Sequence, residues 1–244
     1  TDDQQTNYSQ LVINTERKAN PETPILQVGE WAPLILMPNL TAGADFLFQR
    51  IDQKGPQIEI TLFHSGVFHN TASPRTLQNT LNQKFGFFPA GSDSYAVEDG
   101  WISAEENLYL INRASQWMAQ VTAWVYQTYQ PDLLYAWQDG FDSAGHAYLM
   151  QDEAQFNYSP ELAQAYQSYF REATQTADEA LATILEAVDL ENATVMLVSD
   201  HGMAPIHSVV YVNTILEQAR LLTLDRRNYV VVEKTKAFAV ASGG

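Results

Sequence analysis

The apolar run Val195–Val198 ends in four small or polar residues, Ser199, Asp200, His201 and Gly202. A short apolar run of this kind predicts a buried β-strand. A carboxylate beside an imidazole at a strand end offers an anionic oxygen and a neutral nitrogen, which are suitable ligands for a divalent cation. Gly202 permits a sharp turn beneath them. For this dipeptide alone, a polar turn with a solvated His201 is an equally good interpretation.

A second polar cluster follows the short apolar run Leu133–Trp137, which also predicts a strand. Asp142 and His146 are four residues apart, so one helical turn would place both side chains on the same face. Alone, this spacing favours a solvated helix start. Together, however, the two clusters both follow predicted parallel strands, whose carboxyl ends lie at one edge of a sheet. Two half-sites at that edge predict a two-metal centre suited to displacement at phosphorus.

Composition limits the classes of function. The chain has 29 acidic and 13 basic residues and a net charge of -16, so we expect no nucleic-acid or anionic-membrane binding through a basic face. Bound metal ions could still supply positive charge for a phosphate ester. The 244 residues include no cysteine, which excludes disulfides and thiolate ligands. No apolar run is long enough for a membrane span, and Thr1 begins no signal-peptide pattern.

Residues 1–102 are predicted to be β-rich and to form an inserted or cap region continuous with the core. One helix is predicted near Leu77–Lys84. Alternating and β-branched stretches predict short strands. These strands are Gln10–Asn14, Ile25–Val28, Leu34–Met37, Asp45–Gln49 and Gln57–Phe63.

Residues 103–244 are predicted to form part of an α/β core. Ser103 and Glu106 form a capping-box pattern that opens a helix to about Tyr129. Proline at the first helical position favours a second helix from Pro160 to about Val188. Helices that alternate with strands predict a parallel sheet with crossover helices. Farther on, a short helix is predicted at Val209–Ala219. Two strands, Tyr229–Lys234 and Phe238–Ala241, are predicted to form a hairpin.

The sequence Asp142-Ser143-Ala144-Gly145-His146, paired with Ser199-Asp200-His201-Gly202-Met203, resembles the alkaline phosphatase superfamily. Within it, the resemblance is to the type I phosphodiesterase/nucleotide pyrophosphatase branch. It implies a mainly parallel sheet flanked by helices and two divalent metal ions, usually zinc, with manganese or magnesium as alternatives. It also implies that Asp142 and His146 bind one ion, and that Asp200 and His201 bind the other.

The same resemblance implies hydrolysis of a phosphodiester or a nucleotide pyrophosphate by a hydroxyl nucleophile. The expected partner is a small phosphate-ester or nucleotide substrate. The location is not predicted; an extracytoplasmic one, either periplasmic or secreted, is compatible with the family resemblance alone. Two alternatives stay open. One is a phosphomonoesterase or phosphomutase on the same scaffold, and the other is a non-catalytic, metal-stabilised binding domain. The oligomeric state is not predicted.

Parts of the family pattern have no counterpart in this sequence. The threonine or serine nucleophile and an upstream aspartate are not found before Asp142, and the downstream histidine ligand is not found after His207. We therefore expect an internal segment of a longer enzyme that is inactive or nearly so by itself, with its catalytic nucleophile outside this chain.

Other candidates are weaker. Asp139 is predicted to orient a metal ligand by hydrogen bonding. His207 is a minor candidate because it lies six residues after His201. For His64 and His69, local hydrogen bonding is favoured over a ligand role.

Overall fold

The structure is a computed structural model that describes residues 8–14, 23–55 and 57–240. Within these ranges the chain is a mixed α/β fold with two small antiparallel sheets. It divides into two compact units, Thr1–Met150 with Pro160–Met203 and Gln151–Ser159 with Ala204–Gly244. Among the described helices, none has the length and apolar character that a bilayer crossing requires.

The strands lie in the first unit. β1 (Gln10–Val12) pairs with β2 (Ile25–Gln27), while β3 (Trp31–Met37), β4 (Ala42–Lys54) and β5 (Gln57–His64) form a sheet in that order. The predicted β-rich character and the predicted strands are confirmed. β4 is longer than expected because its antiparallel pairing with β5 continues to the end of the hairpin.

The first two helices, α1 (Arg75–Phe85) and α2 (Ser94–Glu98), precede the capping box, and the long α3 (Ala104–Tyr129) follows it. The Ser103 hydroxyl accepts from the Glu106 amide at 3.1 Å, and the Glu106 carboxylate accepts from the Ser103 amide at 2.6 Å, so the predicted capping box is confirmed. α2 was not predicted, because five residues are too short to show a helical period. The remaining helices are α4 (Gly140–Tyr148), α5 (Pro160–Ala187) and α6 (Val212–Gln218).

The helix α3 contributes to two hydrophobic clusters on different sides. Leu110 packs with Leu47 and Phe63 of the three-stranded sheet. Its neighbour Ile111 belongs to a second cluster, which includes Ala144 of α4 and Ala173 of α5. One helix therefore joins the sheet to α4. The predicted division into a cap region, 1–102, and a core, 103–244, stays a prediction.

A buried ion pair also joins the sheet to α3. Asp45 of β4 is fully buried, and Arg113 Nε lies 2.6 Å from its Oδ1. The Asp45 backbone N–H donates to Ser65 Oγ at 2.9 Å. Burial raises the pKa of Asp45, and the nearby Arg113 charge opposes this rise.

The two apolar runs expected to be parallel strands have no regular secondary structure. In the described part of the chain, no backbone hydrogen bond joins Leu133–Trp137 or Val195–Val198 to a neighbouring strand. Tyr135 and Met196 are 88% and 79% exposed. A strand needs a partner for its backbone groups, and these runs have none among the described residues. The predicted parallel strands are therefore not formed in this structure.

The hairpin predicted in the second unit is also absent from the described residues. The segment Tyr229–Lys234 ends in a 3-10 turn, Val232–Lys234. The backbone amide of Lys236 donates to Leu221 O at 2.7 Å and not to a partner strand. Of the second predicted strand, Phe238–Ala241, the first three residues have no regular structure, and the last lies outside the described residues.

Candidate metal centre

The helix α4 presents Asp142 and His146 on one face. His146 Nε2 lies 3.6 Å from Asp142 Oδ2. On the other face, Ala144 and Tyr148 are buried against α3 and α5. Because that face is packed, the Asp142 and His146 side chains point outward and are 32% and 54% exposed. The shared helix face predicted from the four-residue spacing is confirmed.

Polar contacts and a close approach hold the start of α4. Ser143 Oγ donates to Asp139 Oδ2 at 2.6 Å, and Ser115 Oγ of α3 donates to Gln138 Oε1 at 3.1 Å. A Cβ added to Gly140 would lie 2.9 Å from Ser115 Cβ, so this glycine allows α4 to lie directly against α3. Asp139 therefore stabilises the first helical turn. Its predicted role in orienting a metal ligand stays a prediction.

The second motif, Ser199–Met203, approaches α4 from an exposed segment. His201 Nε2 lies 3.4 Å from Asp142 Oδ1 and 4.0 Å from Asp200 Oδ1. His201 Nδ1 lies 3.1 Å from Gly202 O, and Ser199 Oγ donates to His201 O. Because a carbonyl only accepts, Nδ1 carries the proton in this contact. Nε2 is the ring nitrogen that faces Asp142, so the structure brings the two predicted half-sites together.

The donor atoms suit a divalent ion in chemistry and in pairwise distance. Two ligands of one tetrahedral zinc, each bonded at about 2.0–2.1 Å, are separated by about 3.3 Å. The two histidine–Asp142 separations, 3.6 and 3.4 Å, are close to this value. Within residues 8–14, 23–55 and 57–240, however, no three His, Asp or Glu side chains form a group that could hold a metal. The division of Asp142, His146, Asp200 and His201 between two ions stays a prediction.

The remaining histidines have local or unrelated contacts. His64 Nδ1 lies 2.9 Å from Ser65 O, which confirms the expected local hydrogen bonding. His69 is exposed, and its role is untested. In the second unit, His207 Nε2 lies 3.0 Å from Asp152 Oδ2. The Ala154 amide, and secondarily His207, hold the pKa of Asp152 below its ordinary value. The candidate ligand role of His207 is likewise untested.

A buried polar network supports α4 and was missed from the sequence. Asn107 Nδ2 donates to Tyr148 Oη at 3.3 Å, and Tyr148 Oη donates to Ala104 O at 2.8 Å. The Asp93 amide donates to Asn107 Oδ1 at 2.7 Å. Burial raises the pKa of Tyr148 far above its ordinary value. The available signal was an asparagine within the apolar face of α3, where a polar side chain needs a buried partner.

Comparison with known proteins agrees with the paired motifs. The family model for type I phosphodiesterase / nucleotide pyrophosphatase matches residues 40–243, which include α4 and the second motif. Searches of curated proteins and of solved structures gave no match. The family is part of the alkaline phosphatase superfamily, and its members are hydrolases of phosphate esters or nucleotides. Because the match covers well over half of the 244 residues, the chain belongs to the type I phosphodiesterase/nucleotide pyrophosphatase family.

Proposed function

We propose that this chain carries the metal ligands of a phosphoesterase that hydrolyses phosphodiesters or nucleotide pyrophosphates. The family match supports the reaction class. The observation that supports the site is the approach of His146 and His201 to the two oxygens of a single carboxylate, Asp142. These residues come from segments far apart in the chain, so their convergence depends on tertiary packing.

Asp142, His146, Asp200 and His201 would hold two divalent ions, with zinc preferred by the mixed imidazole and carboxylate donors. When bound, such ions polarise the phosphoryl group and lower the pKa of an attacking hydroxyl. The Asp142 carboxylate contributes negative charge next to both imidazoles. The contact of His201 Nδ1 with Gly202 O orients the ring so that Nε2 can bind a metal ion. With a net charge of -16, the chain needs bound cations to attract an anionic phosphate ester.

The alkaline phosphatase-like parallel sheet belongs to the same proposal. Leu133–Trp137 and Val195–Val198 would be two of its strands, and each would require a strand neighbour. What supports this assignment is their apolar composition and their position, since each run leads directly into one half of the candidate centre.

Asp142→Asn tests the metal centre, because it removes the charge next to both histidines and preserves the side-chain volume. We expect zinc affinity to fall by at least about 100-fold, since weakening a ligand costs no less than perturbing the groups that orient it. A competition titration against a chromogenic zinc chelator measures the change. The matched control is Asp152→Asn, which removes another histidine-paired carboxylate and should preserve the wild-type affinity. Wild-type affinity in Asp142→Asn would contradict the site.

Hydrolysis assays on the full-length protein, which would include the nucleophile expected outside this chain, then separate the candidate reactions. Zinc-dependent turnover of bis-p-nitrophenyl phosphate above that of p-nitrophenyl phosphate is the expected result for a diesterase, with loss in EDTA and recovery on zinc addition. A preference for the monoester would favour a phosphomonoesterase. Zinc binding without hydrolysis of either ester would favour the non-catalytic binding domain.

A further inference from the structure

The two halves of the candidate centre are joined by an apolar contact next to their ligands. A Cβ built on Gly145 would lie 2.9 Å from Met203 Cε, 3.1 Å from Cγ and 3.7 Å from Sδ. Gly145 immediately precedes His146 on α4, and Met203 follows His201 by two residues. The Met203 side chain thus occupies the space that any larger residue at position 145 would fill.

Met203 is also where the exposed second motif meets the packed part of its unit. Residues 194–202 are all exposed, whereas Met203 is half-buried and Gly145 is buried. The other contacts of Ser199 and His201 named above are local, except for the approach of His201 to Asp142. An exposed ion pair with histidine contributes little to holding a segment in place. Burial of the thioether against α4 is a more effective anchor.

We propose that Met203 is a positioning residue whose side chain, seated on Gly145, sets the distance between Asp142–His146 and Asp200–His201. Its consequence for metal binding rests on the function proposed above. Metal sites tolerate ligand displacements of only about 0.2 Å. An added methyl group at position 145 would make Met203 Cε rotate away, which is easy at the end of a flexible side chain. Met203 Cγ, 3.1 Å away and close to the backbone, would have to shift by a few tenths of an ångström, which exceeds this tolerance.

A double-mutant cycle on the full chain tests this contact. Gly145→Ala should weaken zinc binding about tenfold, as expected for a residue that orients metal ligands. In the Met203→Ala background, the same glycine substitution should cost less than about twofold, because the shorter side chain leaves room for the methyl group. Met203→Leu should retain near wild-type affinity, since it preserves apolar volume.

Gly140→Ala is the matched control. Gly140 is the other glycine of α4 that lies against a neighbour, but its contact is Ser115 of α3. This variant should lower the melting temperature, and shortening Met203 should not relieve its effect. A purely structural role for Met203 predicts that Gly145→Ala, like Gly140→Ala, lowers the melting temperature and leaves the zinc affinity unchanged. Positioning predicts a loss of zinc affinity in Gly145→Ala that shortening Met203 relieves.

A metal-free measurement separates this proposal from the function on which it rests. At fixed pH, Gly145→Ala should shift the His201 imidazole signals in a ¹H–¹³C spectrum, and adding Met203→Ala should restore them. A wild-type chain that binds no zinc would remove the proposed function, and the His201 shifts would still decide whether Met203 positions the motif. Additive effects in the cycle, or unchanged His201 signals in Gly145→Ala, would overturn the proposal.

Discussion

Asp142 and Asp45 show how differently two carboxylates are used in one unit. Asp45 is fully buried next to Arg113, whereas Asp142 is 32% exposed and contacts two histidines. A buried carboxylate with a permanent counter-charge links the elements that contribute the pair. A partly exposed carboxylate next to imidazoles stays accessible to a metal and a substrate.

The Asp45–Arg113 pair leads to a stability prediction. Arg113→Met leaves Asp45 buried without its counter-charge. We expect the free energy of unfolding at pH 7 to fall by about 3 kcal/mol, the lower end for breaking a buried pair, because water reaches the 26%-exposed arginine side chain. Urea denaturation measures this loss.

Two controls follow from the same charge argument. The double variant Asp45→Asn/Arg113→Met should recover part of the loss, since no buried charge is left. Removing the Arg113 charge raises the pKa of the buried Asp45 further, so the deficit of Arg113→Met should shrink as the pH falls through the pKa of Asp45 in the variant. Wild-type stability of Arg113→Met at pH 7 would contradict a structural role for the pair.

Among the elements, α3 does most to position the candidate centre. It begins at a confirmed capping box, packs one side on the sheet and the other on α4 and α5, and receives the Tyr148 hydroxyl at its first turn. The orientation of α4, and therefore of Asp142 and His146, depends on this packing because α4 has only nine residues. A helix of that length is not stable by itself in water.

The Tyr148 hydroxyl, which links α4 to α3, predicts that the free energy of unfolding depends on pH. The pKa of Tyr148 is raised above its ordinary value of 10.0, so above pH 10 the unfolded state loses this proton while the folded state retains it. Stability should therefore fall with rising pH, by at most about 1.4 kcal/mol per pH unit for one proton. Tyr148→Phe removes this dependence and costs about 1–2 kcal/mol at pH 7, since two hydrogen bonds are lost.

The measurement is the difference in unfolding free energy between wild type and Tyr148→Phe from pH 7 to 11. Titration of the other tyrosines is common to both proteins and cancels in this difference. The stability advantage of the wild type should be constant up to about pH 9 and should shrink above pH 10. A difference that does not change with pH would show that Tyr148 ionises equally in both states.

At the scale of the whole molecule, the main departure from the predicted fold is that two apolar segments are exposed and unpaired among the described residues. Leu133–Trp137 and Val195–Val198 lead into the two halves of the candidate centre and have exposed side chains such as Tyr135 and Met196. Among the described residues, their amides form no strand pairing. Neither the family match nor the placement of Asp142 and His146 on one face of α4 depends on a parallel sheet.

Hydrogen exchange tests this arrangement directly. In the chain as described, the amides of residues 133–137 and 195–198 should exchange nearly as fast as those of an unstructured peptide, because nothing described protects them. The amides in the middle of α3 serve as the internal reference and should exchange slowly. Slow exchange in both apolar runs would contradict the unpaired arrangement.

The features that the sequence alone determined are local ones. Ser103 and Glu106 are one helical turn apart, Asp142 and His146 likewise, and the alternation in β5 follows the period of a strand. Each of these patterns depends on backbone geometry within a few residues, so it can be read without the fold. The paired motifs also indicated the family that the comparison confirmed.

Other features were decided only by the tertiary structure. The 3.4 Å approach of His201 to Asp142, the seating of Met203 on Gly145 and the burial of Asp45 next to Arg113 all join distant segments. No periodicity encodes such distances, because they depend on how whole elements pack. The apolar runs predicted as strands show the converse. Apolar composition favours burial, but a strand forms only where another backbone is available to complete its hydrogen bonds.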